Sequence, residues 1–548
     1  MGRKFLLLFL LTPFLVMFLS TWIIGPTMAT GYTDVAVSDA RTMVESKPSL
    51  VILDVRNQSE YYLGHIRNAK LIPVWDLSAR LNELNVSDEI LVYCEVGARS
   101  AAASQTLVDD GFLHVYNMLG GITAWANEGY PVYVRYPSIQ EAINGANEGD
   151  TVFVSSGLYV EHLAVNKSLT LIGENEYSTI IDGTDNGTIF YVTASNVSIS
   201  DFTIQYCGCS CQGYCGIDVG GNQQNVNITN NNLASNGYGI KLDQAQMVLI
   251  CNNTITGPNR DWSILVSNSS TVLMLRNNVT GNLNGIEIEN CSGTIVSGNT
   301  VLNSFTGIFV SNSNDDTFSG NTLSSNKNYG IYVRQSSNNT IFHNSFLGNT
   351  RHVLNFNSVD FWDNGAEGNY WSNYTGVDSD FDGIGETSHV LDANNTDHYP
   401  LMGLFSSFST SLAKPVNVIS NSTIESFEYF ESNSTIRMHV SNMTENQTFG
   451  FVRISIPHVL MNDTYKVLID GAEPYYVNYT LHDNGTHRWI YFAYEHSTLE
   501  IVIVPESPTL LILPLFMTTT LLAVIVYRRK HTLDNSAVHL SEISNLGM

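Results

Sequence analysis

The sequence predicts a multidomain chain: a small α/β domain, then a parallel β-helix, then an antiparallel β-sandwich, with a C-terminal transmembrane helix. Three observations carry this. Residues 91–103 run from an apolar strand through a glycine loop into a small-residue helix start. An Ile-x-(Val/Leu/Ile) pattern recurs six times between residues 216 and 346. A continuous apolar or hydroxylated stretch, residues 509–527, ends on Arg528-Arg529-Lys530-His531. These are the signatures of a strand-turn-helix site, a stacked repeat and a stop-transfer segment.

The two ends set the compartment. Arg3 and Lys4 precede an apolar stretch over residues 5–24, followed by Pro26 and Thr27-Met28-Ala29. A charged start, an apolar middle and a small-residue exit make residues 1–29 a signal peptide, or a signal anchor if the stretch is retained. Residues 509–527 span the bilayer, and residues 528–548 form a basic-flanked cytoplasmic tail. Both ends place the bulk of the chain outside the cell membrane, tethered to it. The 548 residues carry a formal net charge of −26, which disfavours nucleic acid as a partner and suits an exposed surface or cation binding. Asn-x-Ser/Thr sequons recur along the exterior part, open to glycosylation there. Seven cysteines are too few and too clustered for a disulfide scaffold.

Within residues 34–135 the chemistry centres on Leu91-Val92-Tyr93-Cys94-Glu95-Val96-Gly97-Ala98-Arg99-Ser100. The strand delivers a thiol to a tight loop, and the helix opened by Ala101-Ala102-Ala103 turns its positive end toward the sulfur. Gly97 lets an anion approach the backbone, and Arg99 adds a cation. Around the loop stand Val51-Ile52-Leu53-Asp54-Val55-Arg56, Gly64-His65-Ile66-Arg67-Asn68-Ala69, Leu119-Gly120-Gly121-Ile122-Thr123-Ala124-Trp125 and Gly129-Tyr130-Pro131-Val132. In order and spacing this region resembles the rhodanese family. The resemblance implies an α/β domain whose loop cysteine carries sulfane sulfur as a persulfide. Cys94 is then nucleophile and sulfur carrier, and Glu95, Val96, Gly97, Ala98, Arg99 and Ser100 form the anion-binding cradle. Asp54 and Arg56 match the family's structural ion-pairing positions. The implied activity is sulfur transfer from an unspecified donor to a thiol acceptor, with no required cofactor. The alternative is a docking or redox module on a non-catalytic surface protein. One departure stands out: thiosulfate-using members often place a basic residue after the cysteine, where Glu95 stands here. A carboxylate there repels a dianionic donor and raises the thiol pKa.

Residues 137–402 make the β-helix. Ile217, Ile240, Ile264, Ile286, Ile308 and Ile331 follow one another at intervals of 22–24 residues, and all but Ile264 follow a glycine. A second comb, Asn231, Asn253, Asn277, Asn299, Asn321 and Asn344, runs in phase. Short strands between Asn/Gly turns cannot bury their apolar faces alone. Stacked about 4.8 Å apart they form one core, with the asparagines as an amide ladder. A short amphipathic helix near residues 138–143 covers the first coil, whose edge would otherwise be unpaired. Ile139-Gln140 through Gly157-Leu158-Tyr159, and Gly368-Asn369-Tyr370-Trp371-Ser372-Asn373-Tyr374, are similar to the pectin-lyase-like β-helices, specifically the NosD-like group named for a periplasmic copper-binding protein. Copper and glycan are the ligands this likeness brings forward. The outward positions Asp218, Lys241, Leu265, Glu287, Phe309 and Tyr332 carry only scattered charge, which disfavours a polysaccharide lyase or hydrolase. Tyr238, Trp262 and Tyr332 suit a sugar-binding surface instead.

Two clusters could hold metal. Asp378, Asp380, Asp382 and Glu386, with the Ile384 carbonyl and Gly383 at the turn, follow the opening of a calcium loop. The usual bidentate Glu is replaced by His389. Cys207, Cys209, Cys211 and Cys215 lie within nine residues. Dense thiolates suit Cu(I) or zinc, but exported thiols oxidise, so two local disulfides are favoured over copper. Finally, residues 410–506 alternate as short strands (436–440, 449–456, 466–469, 475–481, 489–494, 499–504) and read as an immunoglobulin-like sandwich.

Overall fold

The computed structural model describes residues 31–257, 262–461, 464–495 and 498–505. The expected signal segment and the expected membrane span with its tail lie outside the described residues. Among the described residues no helix is long and apolar enough to cross a membrane. The chain divides into two compact units, residues 1–316 with 325–335, and residues 317–324 with 336–548.

The first unit opens with β1 (Thr33–Val35), α1 (Val37–Ser46), β2 (Val51–Asp54), α2 (Gln58–Leu63), β3 (Lys70–Leu71), β4 (Glu89–Tyr93), α3 (Ala98–Asp109), β5 (His114–Met118) and α4 (Gly121–Asn127). The five strands are parallel, in the order β1-β5-β4-β2-β3. Helices cover both faces, so β4 is a continuous apolar run: Ile90, Leu91, Val92 and Tyr93 are all fully buried. Ile90 and Val92 pack with Leu53 and Leu107 on one face, while Leu91 and Tyr93 pack with Ile122 and Trp125 on the other. Cys94 follows directly on β4, at the carboxyl edge where open α/β sheets place their sites.

Residues after α4 lead straight into the β-helix. Val134 pairs as a parallel bridge with Val154, its N–H donating to Phe153 O (3.0 Å) and its carbonyl accepting from Ser155 N (2.9 Å). The buried Glu174 carboxylate accepts from Asn68 N (2.9 Å) and Ser156 N (2.8 Å) and lies 3.0 Å from His65 Nε2, tying the α/β domain to the first coils. A short helix α5 (Ile139–Gly145), capped by Ser138, buries Ile139 and Ile143.

Coils then stack in register. Cys215–Gly220, Tyr238–Asp243, Trp262–Ser267, Asn284–Glu289, Thr306–Ser311 and Tyr329–Arg334 pair in parallel, which aligns Ile217, Ile240, Ile264, Ile286, Ile308 and Ile331 as one inward row. Burying each such side chain contributes about 1.5–3 kcal/mol. The glycine before the isoleucine is explained by close approach: a Cβ on Gly239 would stand 2.5 Å from Ser263 O in the next coil. Inside the stack, Asn231 N and Nδ2 donate to Asn253 Oδ1, and the pattern repeats from Asn253 to Asn277 and from Asn277 to Asn299. The residue before each ladder asparagine turns the corner in the left-handed region, as at Asn230 (φ 55°) and Asn252 (φ 56°), where asparagine is tolerated.

The second unit has its own ladder. Asn321 N and Nδ2 donate to Asn344 Oδ1, and Asn344 N and Nδ2 donate to Asn369 Oδ1. Asn369 N donates to Asp397 Oδ2 (2.8 Å), which also accepts from Trp371 Nε1 (2.8 Å). The Gly-Asn-Tyr-Trp segment thus ends the ladder against a buried acid. Two antiparallel sheets follow, five strands and four strands, beginning at Leu404–Phe408 and ending at Leu499–Pro505. Val418, Ile436, Met438, Val452, Ile454, Ile490, Phe492 and Ile503 pack between them, the alternate inward positions of a β-sandwich.

Candidate functional site

Cys94 is 1% exposed at the floor of its loop. Gly97 supplies the turn at φ +102°, and its N–H donates to Cys94 Sγ at 3.2 Å. The loop is clamped from behind by α4, where Ile122 N donates to Cys94 O (2.8 Å) and Thr123 N to Glu95 O (3.1 Å). That approach needs Gly121, since a Cβ there would meet Cys94 O at 2.4 Å. Burial pushes the thiol pKa up, but the Ser100 hydroxyl and the amides of Ser100, Gly97 and Val96 outweigh it and hold the pKa below its ordinary 9.0. The net shift is downward with Glu95 in place. Its carboxylate turns from the sulfur to Arg56 Nη1 (3.2 Å) and Thr123 Oγ1 (3.3 Å).

Arg99, expected as a fixed cation of the cradle, is held as a fork by Glu60 at 2.8 and 2.5 Å. Glu60 is also the capping-box residue of α2, exchanging hydrogen bonds with Asn57. Hydrogen bonding to Arg99 holds the Glu60 carboxyl at about 2. Asp54 and Arg56 form the expected buried pair at 2.7 Å, and Arg56 also donates to Gly64 O (2.5 Å). Sequence reasoning missed Glu60; the available signal was its place three residues after Asn57, which marks a helix start.

The family model of the rhodanese-like domain matches residues 36–128. That of the periplasmic copper-binding protein NosD matches residues 143–293 and 212–376. The chain is 34% identical to thiosulfate sulfurtransferase 18 of Arabidopsis thaliana over 128 residues, 21% of this chain and 93% of that protein. The chain belongs to the rhodanese-like family, fused to a NosD-like β-helix. The rhodanese-like domain is also 34% identical to thiosulfate sulfurtransferase GlpE of Coxiella burnetii (strain RSA 331), over 17% of this chain and 87% of that protein. YrkF of Bacillus subtilis (strain 168) is 36% identical over 18% of this chain, and the chain spans about half of that relative, 54% of its length.

The NosD-like region carries the remaining candidate residues of the first unit. Asp218, Lys241, Leu265, Glu287, Phe309 and Tyr332 stand in one row across the coils. Asp218 and Glu287, both pushed up in pKa by burial, are three coils apart, or ~14 Å at strand spacing, too far for a glycosidase pair. Tyr238 and Trp262 stack at 5.2 Å, and Phe309, Tyr332 and Tyr329 form a second aromatic group. Of the two disulfides read from the cysteine spacing, the structure has one, Cys209–Cys211. Cys207 and Cys215 are buried thiols, together with Cys251 and Cys291. Cys207 and Cys215 lie inside the coil wall, where burial pushes the Cys207 thiol up to about 11 and the Cys215 thiol higher still.

In the second unit the carboxylates of Asp378, Asp380 and Asp382 converge, with ligand atoms within 4.8 Å of one another. Asp378 accepts from Asp382 N (3.0 Å) and Gly383 N (2.9 Å), and Asp382 accepts from Ile384 N (2.7 Å). Glu386 Oε1 instead accepts from Ser379 N, Ser379 Oγ and Asp380 N, closing the loop rather than joining the cluster. Burial, with a smaller part from repulsion by Asp382 and Asp380, raises Asp378 to about 6. The protonated form is therefore favoured on folding. Its stabilisation is complete below about pH 4, the usual Asp range, and is lost as pH rises through about 6. The melting temperature in EDTA is expected to fall over that interval, and millimolar Ca²⁺ at pH 7 to raise it by a few degrees. A melting temperature indifferent to Ca²⁺ at pH 7 would remove calcium from the loop.

Proposed function

We propose that the rhodanese-like domain is a sulfurtransferase in which Cys94 takes sulfane sulfur as a persulfide and passes it to a thiol acceptor. The observation that carries this is the Cys94 sulfur itself, held on loop amides with its pKa lowered although it is buried. The thiosulfate sulfurtransferases among its relatives support the same chemistry. The periplasmic description of the NosD family, with the export and anchor segments read from the sequence, supports an extracytoplasmic, membrane-tethered placement. Persulfide mass spectrometry of Cys94 in freshly isolated membranes tests the reading: a mass increment of one sulfur on this residue is expected.

A second reading, a surface protein whose β-helix binds glycan while the rhodanese-like domain docks, is favoured by the stacked, half-buried Tyr238 and Trp262. Stacked aromatic planes are the usual platform for apolar sugar faces. Binding on a glycan array that drops about tenfold in Trp262→Ala is expected, since losing one stacking partner costs on the order of 1.4 kcal/mol. Silence of the wild-type protein across the array would end this reading.

A further inference from the structure

The loop around Cys94 resembles an anion cradle in its amides but not in its charges. Two guanidiniums flank it, and three carboxylates already claim them: Arg99 is forked by Glu60, and Arg56 by Asp54 and Glu95. Three negative groups against two positive leave one surplus negative charge around the loop, with the Asp54–Arg56 pair buried beneath it. The Glu95 side chain supplies the outermost of these, 48% exposed directly beside the nucleophile. The loop amides are turned to the Cys94 sulfur, and both flanking guanidiniums are already paired with carboxylates.

Beside the loop lies an open groove of about 520 Å³, lined by the charged Arg56, Glu60 and Glu95 and by the apolar Leu63, Ile122 and Val132 among others. Leu63 is 79% exposed on this rim. A five-atom ion such as thiosulfate has no use for such a groove. A donor with an uncharged organic arm does, and volumes of this size suit small molecules.

We propose that the sulfur donor is a low-molecular-weight alkyl persulfide, R–S–SH, rather than thiosulfate, and that Glu95 is the residue that sets this choice. The inference rests on the reading of Cys94 as a sulfur carrier. The Cys94 thiolate attacks the outer sulfur of the donor; the Sγ–S bond forms as the donor S–S bond breaks. The electron pair leaves on RS⁻, which takes up a proton from solvent as RSH, and Cys94 is left as Cys–S–SH. Sulfur is passed on at unchanged total oxidation level, so no outside oxidant enters. A thiosulfate donor would instead bring two negative charges against the surplus one and release sulfite, also anionic. Glu95 disfavours that route by like-charge repulsion.

The test compares kcat/KM of the full chain for N-acetylcysteamine persulfide, whose arm is uncharged, and for thiosulfate, in wild type and Glu95→Gln. The wild type is expected to prefer the persulfide by at least about tenfold, and the preference to shrink by about tenfold in the variant, the size expected of one nearby charge. The wild-type thiosulfate rate is also expected to rise with ionic strength as repulsion is screened. Equal or faster use of thiosulfate by the wild type, or a ratio unmoved by Glu95→Gln, overturns the proposal. Failure of both donors to load a Cys94 that still alkylates would instead overturn the sulfur-carrier reading beneath it. The ratio is a readout that a merely structural role of Glu95 would not move, because lost folding lowers both rates together.

Discussion

Replacing Cys94 by serine is expected to abolish sulfur loading and lower transfer activity by on the order of a thousandfold or more, with the fold retained. A serine hydroxyl in the same cradle stays protonated and is a far weaker nucleophile for sulfur than a thiolate. Oγ replaces Sγ in a site whose volume is set by backbone, so melting should change little. Wild-type Cys94 should alkylate with a pH midpoint below 9.0, reactivity being lost as pH falls through that midpoint. Ser100→Ala should move the midpoint up, since its hydroxyl leads the groups that lower it. Transfer at wild-type rate by Cys94→Ser would place the chemistry elsewhere in the chain.

The largest loss of stability is expected from Asn277→Ala. Asn277 is 1% exposed and makes four hydrogen bonds through its side chain. Its Oδ1 accepts from Asn253 N and Nδ2 (both 3.0 Å), and its Nδ2 donates to Ile250 O and Asn299 Oδ1 (both 2.9 Å). Truncation removes all four bonds in a dry interior; Asn253 Nδ2 keeps Ile228 O and Asn299 Oδ1 keeps the Asn277 N–H, so the loss falls on Asn253 N and Ile250 O, at a cost of about 2–4 kcal/mol. A stacked repeat should express that loss locally, as faster amide exchange in the coils around residues 250–300 before any global unfolding. A loss under about 1 kcal/mol, or uniform exchange, would mean that water or a neighbouring side chain fills the gap.

How much was legible in the sequence differs by site. The β-helix was readable because each coil repeats one physical problem: an apolar row inward, a glycine where the next coil's carbonyl approaches, an asparagine beside it. Gly239 against Ser263 O shows that the repeat encodes contact, not composition. The Cys94 loop was readable for a similar reason, since strand, Gly97 and the start of α3 are contiguous in the chain. The cysteine cluster was not. Spacing alone cannot say that Cys207 and Cys215 belong to the coil wall while Cys209 and Cys211 stand on a turn outside it. The acidic loop was readable in part: three aspartates meet, but Glu386 is drawn to the nearer backbone amides.

From the order of residues alone come the rhodanese-like cysteine loop, the coil period with its amide ladder, and the alternating strands of the C-terminal sandwich. Each is encoded over a few neighbouring positions or by repetition, so short-range sterics and burial suffice to specify it. The electrostatic character of the Cys94 site was decided only by the fold. Arg99 meets Glu60, and Arg56 meets Glu95, each across 39 residues of chain. Which charges cancel depends on where the parallel sheet brings α2, α3 and the end of β2 together, and no local pattern carries that information.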